Sequence, residues 1–147
     1  MNIIDLENET TLPIERDKLE NIAQSITTKE IELIITDNAS IQELNQEHRG
    51  KNSPTDVLSF PMDTSFTEAT IFGMPLGSIV ISEEFVRAKA EEFGHTIQDE
   101  LSLLFIHGLL HLLGFDHETD NGEMREKEKE LIKTFDLPSS LIVRVNH

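Results

Sequence analysis

The chain contains no cysteine, so neither a disulfide nor a thiolate metal site is open to it, and any metal ion must be held by His, Asp or Glu. Without Cys there is also no sign of an oxidising compartment. Long apolar runs are missing as well. The richest stretch, Leu109 to Leu113 with its neighbours, is interrupted by His107 and His111 and falls short of the roughly 20 residues that a spanning helix needs. Met1-Asn2-Ile3-Ile4-Asp5 lacks the basic start and apolar core of a signal peptide. These absences lead to the expectation of a soluble, cytoplasmic protein with no membrane partner. Basic residues are scarce: 12 Lys and Arg stand against 28 Asp and Glu, for a formal net charge of -16. Such a balance favours solubility and repels polyanions at long range. It lowers the expectation of nucleic-acid binding, which needs a basic footprint, unless the cations are concentrated locally. Two groups are. Arg49 and Lys51 flank Gly50 with no acid before Pro54, a candidate phosphate site. Arg125, Lys127, Lys129 and Lys133 alternate with Glu and read as a solvated helix face carrying ion pairs.

What is present organises into one domain, residues 1–147, long enough to bury a core without cross-links. No repeat or dividing linker is visible. Ile3 to Leu6 reads as a short strand. Pro13 suits a first helical turn, ahead of Leu19, Ile22, Ala23 and Ile26 at helical spacing. Glu30 to Thr36 is β-rich, with Ile31, Leu33 and Ile35 on one face. Asp37 or Asn38 caps a second helix with apolar points at Ile41 and Leu44. Asp56 to Phe60 looks like a buried strand stopped by Pro61, Asp63 to Thr70 like an exposed loop, and Leu76 to Ile81 like a further strand. Ser82 with Glu83 and Glu84 opens a helix whose apolar points are Phe85, Ala88 and Phe93, with Gly94 as its stop. Thr96-x-x-Asp99 resembles a capping box. The helix it opens, to Leu113, is apolar on nearly every side and therefore belongs in the core. A last helix runs from about Gly122 to Phe135, with a tail from Pro138. Strands early and helices late predict an α+β fold: a small mixed sheet packed with helices, one of them central and buried.

That central helix carries the chemistry. His107 and His111 are four residues apart, so their imidazoles leave one face about 6 Å apart along the axis. One tetrahedral ion can bridge them. Gly114 can take the left-handed conformation that reverses the chain, so that Phe115-Asp116-His117 returns a third imidazole. Three neutral ligands with an open fourth position describe a catalytic zinc site, one ion per chain, in which water is activated for hydrolysis. The plain alternative is a set of hydrogen-bonded core histidines, but two side by side in an apolar shell each need a partner. Asp116 either orients His117 or satisfies turn backbone. The spacing matches the extended zinc-protease signature H-E-x-x-H-x-x-G-x-x-H except that Gly108 replaces the Glu that serves there as general base. This departure points away from peptide substrates.

The string His107-Gly108-Leu109-Leu110-His111-Leu112-Leu113-Gly114-Phe115-Asp116-His117 resembles the metal motif of the YbeY family of bacterial single-strand-specific metallo-endoribonucleases. A second string agrees: Glu43-Leu44-Asn45, Arg49-Gly50-Lys51 and Pro54-Thr55-Asp56-Val57-Leu58-Ser59-Phe60-Pro61. The resemblance runs from about Ile31 to Ile132. Two positions depart from the pattern: His48 stands where Tyr is usual, and Ser78 where Asp is common. The resemblance implies zinc as cofactor, with His107, His111 and His117 as ligands and Arg49 as the functional arginine. It also implies single-stranded RNA, not DNA, as substrate, and a role at the ribosomal small subunit in 16S rRNA 3′-end maturation and ribosome quality control. An Arg there makes physical sense, because a guanidinium can hold two phosphoryl oxygens as negative charge develops; a plain surface cation is the competing reading. Thr55 and Ser59 either hydrogen-bond substrate or fill polar gaps in a strand, and His48 either aids proton transfer or is a solvated histidine. The acidic charge keeps a second function open, a metal-binding ribosome assembly factor that docks a basic ribosomal protein or a GTPase and cleaves little.

Overall fold

The computed structural model describes residues 2–62, 75–116 and 119–138. Within them four strands form one sheet: β1 (Ile4–Asn8), β2 (Ile31–Thr36), β3 (Val57–Pro61) and β4 (Gly77–Ser82), in the order β1-β2-β4-β3. β1, β2 and β4 run parallel, and β3 lies antiparallel on β4. Five helices accompany them among the described residues: α1 (Arg16–Ile26), α2 (Asn38–Arg49), α3 (Glu83–Phe93), α4 (Ile97–Leu112) and α5 (Glu123–Thr134). This is the expected α+β fold with a small mixed sheet. No helix in these segments is long and apolar enough to cross a membrane.

The period-2 pattern decides the sheet's two faces. Leu33 and Ile35 pair with Ile79 and Ile81 in register, and all four are fully buried on the face that receives α4. Val80 and Leu58 point the other way, into a smaller cluster with Ile41 of α2. α4 fills the centre. Its residues Leu101, Phe105, Ile106, Leu109 and Leu110 have no solvent exposure, and each such side chain contributes about 1.5–3 kcal/mol on burial. Gly108 lets the helix approach closely: a Cβ there would stand 2.9 Å from Ile79 Cγ2. The capping box is present, with the Asp99 N–H donating to Thr96 Oγ1 at 3.1 Å and the Thr96 N–H to Asp99 Oδ2 at 3.4 Å. Asp37, not Asn38, caps α2, accepting the Ser40 N–H at 2.8 Å; that contact holds its carboxyl below the ordinary value.

Several boundaries differ from the sequence reading. β1 extends to Asn8 because its parallel register with β2 continues that far. α1 starts at Arg16, past Pro13, since the backbone there is taken by a distant partner: the Glu15 N–H donates to Gln98 Oε1 at 2.9 Å. The buried points of α3 are Val86 and Ala90, with Ala88 exposed, because helix–helix packing rather than hydropathy alone sets its rotation. β3 is an edge strand with only Leu58 buried and ends on Pro61 instead of before it; an edge tolerates the missing donor. The expected loop at 63–70 and the tail beyond Pro138 lie outside the described residues.

Candidate active site

α4 emerges from the core at its C-terminal end, and there its two histidines become half-buried. Their Nε2 atoms stand 3.2 Å apart, with ring centroids 4.8 Å apart and planes at 76°. Two imidazole nitrogens bound to one tetrahedral zinc lie about 3.3–3.4 Å from each other, given bonds of about 2.0–2.1 Å. The pair therefore fits a shared ion with almost no adjustment. Gly108, between them in sequence, points at Ile79 instead of the cleft, so a Glu at that position would enter the core. The missing protease base has a packing reason.

The chain then turns through a Schellman end. The Gly114 N–H donates to the His111 carbonyl and the Phe115 N–H to the Leu110 carbonyl, both at 3.0 Å, and Gly114 adopts a φ of +99°. Asp116 follows; its carbonyl accepts the N–H groups of Thr119 and Asp120 at 3.2 and 3.0 Å, so its backbone starts the turn toward α5. His117 lies outside the described residues, and among those described no group of three or more His, Asp or Glu side chains is gathered to hold an ion.

Arg49 occupies the last position of α2, and Gly50 closes that helix with φ +69°. Asn45, buried one turn earlier, donates from Nδ2 to the Ser53 carbonyl at 2.8 Å and ties the following segment back. His48 is on the same last turn, its ring tilted against Phe60 at 4.9 Å between centroids. Just ahead of β3, the Thr55 hydroxyl donates to Asp56 Oδ1 at 3.3 Å. Ser59 is in register with Ile79 and so shares the sheet face on which α4 lies. Arg49, Thr55, Ser59, His107, His111 and Asp116 all line one cleft of about 750 Å³ along the β3 edge. Ser78 does not line it; it pairs with Phe60 on the opposite face and donates to Glu32 at 2.7 Å.

Sequence reasoning missed one residue. Glu128 of α5 is 4% exposed, and its Oε1 lies 3.3 Å from His107 Nδ1. Alternating Lys and Glu made this helix read as a solvated face, which holds for the Lys127–Glu130 and Lys129–Glu126 pairs at 3.4 and 3.6 Å but not for Glu128. A signal was there: Met124, Glu128, Leu131 and Ile132 fall on one helical stripe and are the residues α5 buries. An acid on an apolar stripe needs a partner.

Comparison with known proteins follows the same segments. Residues 5–136 match the family described as endoribonuclease YbeY. A protein named endoribonuclease YbeY from Sulfurovum sp. (strain NBC37-1) is 66% identical over 142 residues, covering 97% of each chain. One of the same name from Aliarcobacter butzleri (strain RM4018) is 62% identical over 143 residues, covering 97% of this chain and 99% of its own. Among solved structures, the solution structure of a Thermotoga maritima protein superimposes with a TM-score of 0.60 at 33% identity, covering 90% of this chain and 88% of the other.

Proposed function

Since the chain belongs to the endoribonuclease YbeY family, we propose that it is a zinc-dependent endoribonuclease that cleaves single-stranded RNA in the cytoplasm, in 16S rRNA 3′-end maturation and ribosome quality control. The observation that carries this reading is the 3.2 Å separation of His107 Nε2 and His111 Nε2 in a cleft shared with Arg49. His107, His111 and His117 would hold the ion, which supplies a Lewis acid and an activated water when bound. The chain's own residues do the rest. Arg49 binds a phosphate and, as a planar fork, holds two of its oxygens while charge builds on them. Ser59 offers a hydroxyl from the sheet face toward the bound strand, and Asp116 opens the turn toward α5 with its carbonyl. With the position after the first histidine filled by Gly108, no carboxylate base stands there.

The cleft's size supports the single-strand preference. At about 750 Å³ it falls in the range of sites for small ligands, about 300–1,000 Å³, room for a nucleotide or two. Sequence-specific RNA sites of this kind take unpaired strands whose bases are splayed out. The formal charge of -16 repels nucleic acid at long range, so a local cation such as Arg49 in the cleft is needed to hold a phosphate.

The same charge favours a second reading, a metal-binding assembly factor that docks a basic ribosomal protein or a GTPase and cleaves little. Purified full-length protein, freed of contaminating nucleases, is incubated with a single-stranded RNA and with the same RNA annealed to its complement, with and without chelator. Chelator-sensitive cleavage confined to the single strand is expected. Intact RNA in all four tubes would leave the docking role in its place.

A further inference from the structure

Glu128 stands at a position that packing alone would assign to an aliphatic residue, between Met124 and Leu131 on the buried stripe of α5. A buried carboxylate is costly unless it is paired and hydrogen-bonded. Its neighbours Lys127 and Lys129 reach outward, to Glu130 and Glu126. Its partner is the Nδ1 of His107, 3.3 Å away. An ionised carboxylate only accepts hydrogen bonds. The contact therefore selects the His107 tautomer with the proton on Nδ1, which makes Nε2 the acceptor nitrogen, 3.2 Å from His111 Nε2 in the cleft both residues line.

We propose that Glu128 is the positioning residue of this centre: it holds His107 in its Nδ1–H tautomer and ring orientation, presents Nε2 as a ligand, and makes α5 a supporting wall of the site. This rests on the zinc site proposed above. A carboxylate behind a ligand histidine fixes the ring and raises the basicity of the coordinating nitrogen. It also links occupancy to fold, because an ion that binds only when His107 is aligned favours the state in which α5 is docked.

The test uses the full chain as wild type, Glu128→Leu and Glu128→Gln. Zinc affinity is read by competition with a chromophoric chelator at one pH, and histidine tautomers by ¹⁵N NMR on the zinc-free proteins. Leu completes the stripe of Met124, Leu131 and Ile132, so zinc-free Glu128→Leu should melt at or above the wild-type midpoint yet bind zinc about 10–100-fold more weakly. Glu128→Gln, whose amide oxygen still accepts from Nδ1, should fall between the two. Wild-type His107 should show the Nδ1–H form, and Glu128→Leu a mixture. Zinc binding within twofold of wild type in both variants overturns the proposal. So does weaker binding in Glu128→Leu that merely follows a lower zinc-free melting point, with Glu128→Gln unaffected. If wild type itself holds no zinc, the metal reading fails separately, and the NMR decides: a tautomer unmoved by Glu128→Leu overturns the positioning role, and a shift to a mixture upholds it.

Discussion

At the β1 edge of the sheet, Glu20 of α1 accepts the N–H groups of Ile3 and Ile4, both at 2.9 Å, and Arg16 donates to the Ile4 carbonyl. At the β3 edge, with two strands between, the corresponding surface is a cleft lined by Arg49, Ser59, His107 and His111. Each side has a buried acid on a helix, Glu20 at 3% exposure and Glu128 at 4%. Their partners differ. Glu20 spends its oxygens on backbone donors and so finishes a sheet edge that would otherwise present unpaired groups. Glu128 spends its oxygen on a side chain whose other nitrogen stands 3.2 Å from His111 Nε2 in the cleft. A buried carboxylate that satisfies backbone is a structural part, whereas one that orients a ring toward a cleft serves chemistry beyond itself. The two acids are therefore separable by experiment: changes at the β3 edge should remove binding and turnover, and changes at the β1 edge only stability.

The largest effect belongs to the histidines. Wild type purified without chelator should carry about one zinc per chain, and His107→Ala/His111→Ala none, by elemental analysis. Chelator should lower the wild-type melting midpoint and leave that of the double variant unmoved, since ligand binding stabilises only a protein that has the site. Undiminished zinc in the double variant would move the metal away from the β3 edge and break the comparison at its base.

Arg49→Ala comes next. Removing a charge-stabilising donor from a site costs about two to three powers of ten in rate, and the loss should appear in single-turnover cleavage at saturating single-stranded RNA, with zinc content and circular dichroism unchanged. Arg49→Lys keeps the attraction and loses the fork, so it should recover affinity more than rate. A variant that binds less tightly, shows a shallower salt slope and regains the wild-type rate at saturation would make Arg49 an electrostatic collector only.

What was legible in the sequence was what is local. The Thr96–Asp99 capping box, the alternation in β2, and the left-handed Gly114 are each decided by residues within a few positions of one another, and each is found where the pattern put it. The four-residue spacing of His107 and His111 already required a shared face, and their approach to 3.2 Å adds only distance. What was hidden depends on partners far along the chain. Nothing near Glu128 in sequence shows that His107, 21 residues earlier, faces it. Alternation with lysine concealed it further. The half-exposed state of β3 followed from its place at the sheet edge, which no run of five residues encodes. Gly108 was legible as a departure from a protease motif, but its cause, the approach of α4 to Ile79, is tertiary.

The smallest expected effect, and the sharpest check on the comparison, is at Glu20. Its carboxyl is drawn in two directions. Burial alone raises its pKa, but the Ile3 N–H, the Gln24 amide, the Ile4 N–H and the Arg16 guanidinium together hold it below the ordinary carboxylate value. In Glu20→Gln one oxygen remains to accept one of the two strand N–H groups, while the new amide donor faces the other. Leaving a buried donor unsatisfied costs about 1–3 kcal/mol, so the denaturant midpoint at pH 7 should fall accordingly, with zinc content and cleavage at the wild-type level. The pH dependence follows from the sign of the shift. A group whose folded pKa is lowered contributes stability that is present above its unfolded pKa and disappears as pH falls through the folded one. The gap between wild type and Glu20→Gln should therefore hold from pH 7 down to the ordinary carboxylate range and narrow only below it, because the variant has nothing to protonate there. Equilibrium unfolding at a series of pH values measures that gap. A gap that stays constant through the acid range would mean that Glu20 acts by shape rather than charge, and zinc lost in Glu20→Gln would show that the two edges are not independent.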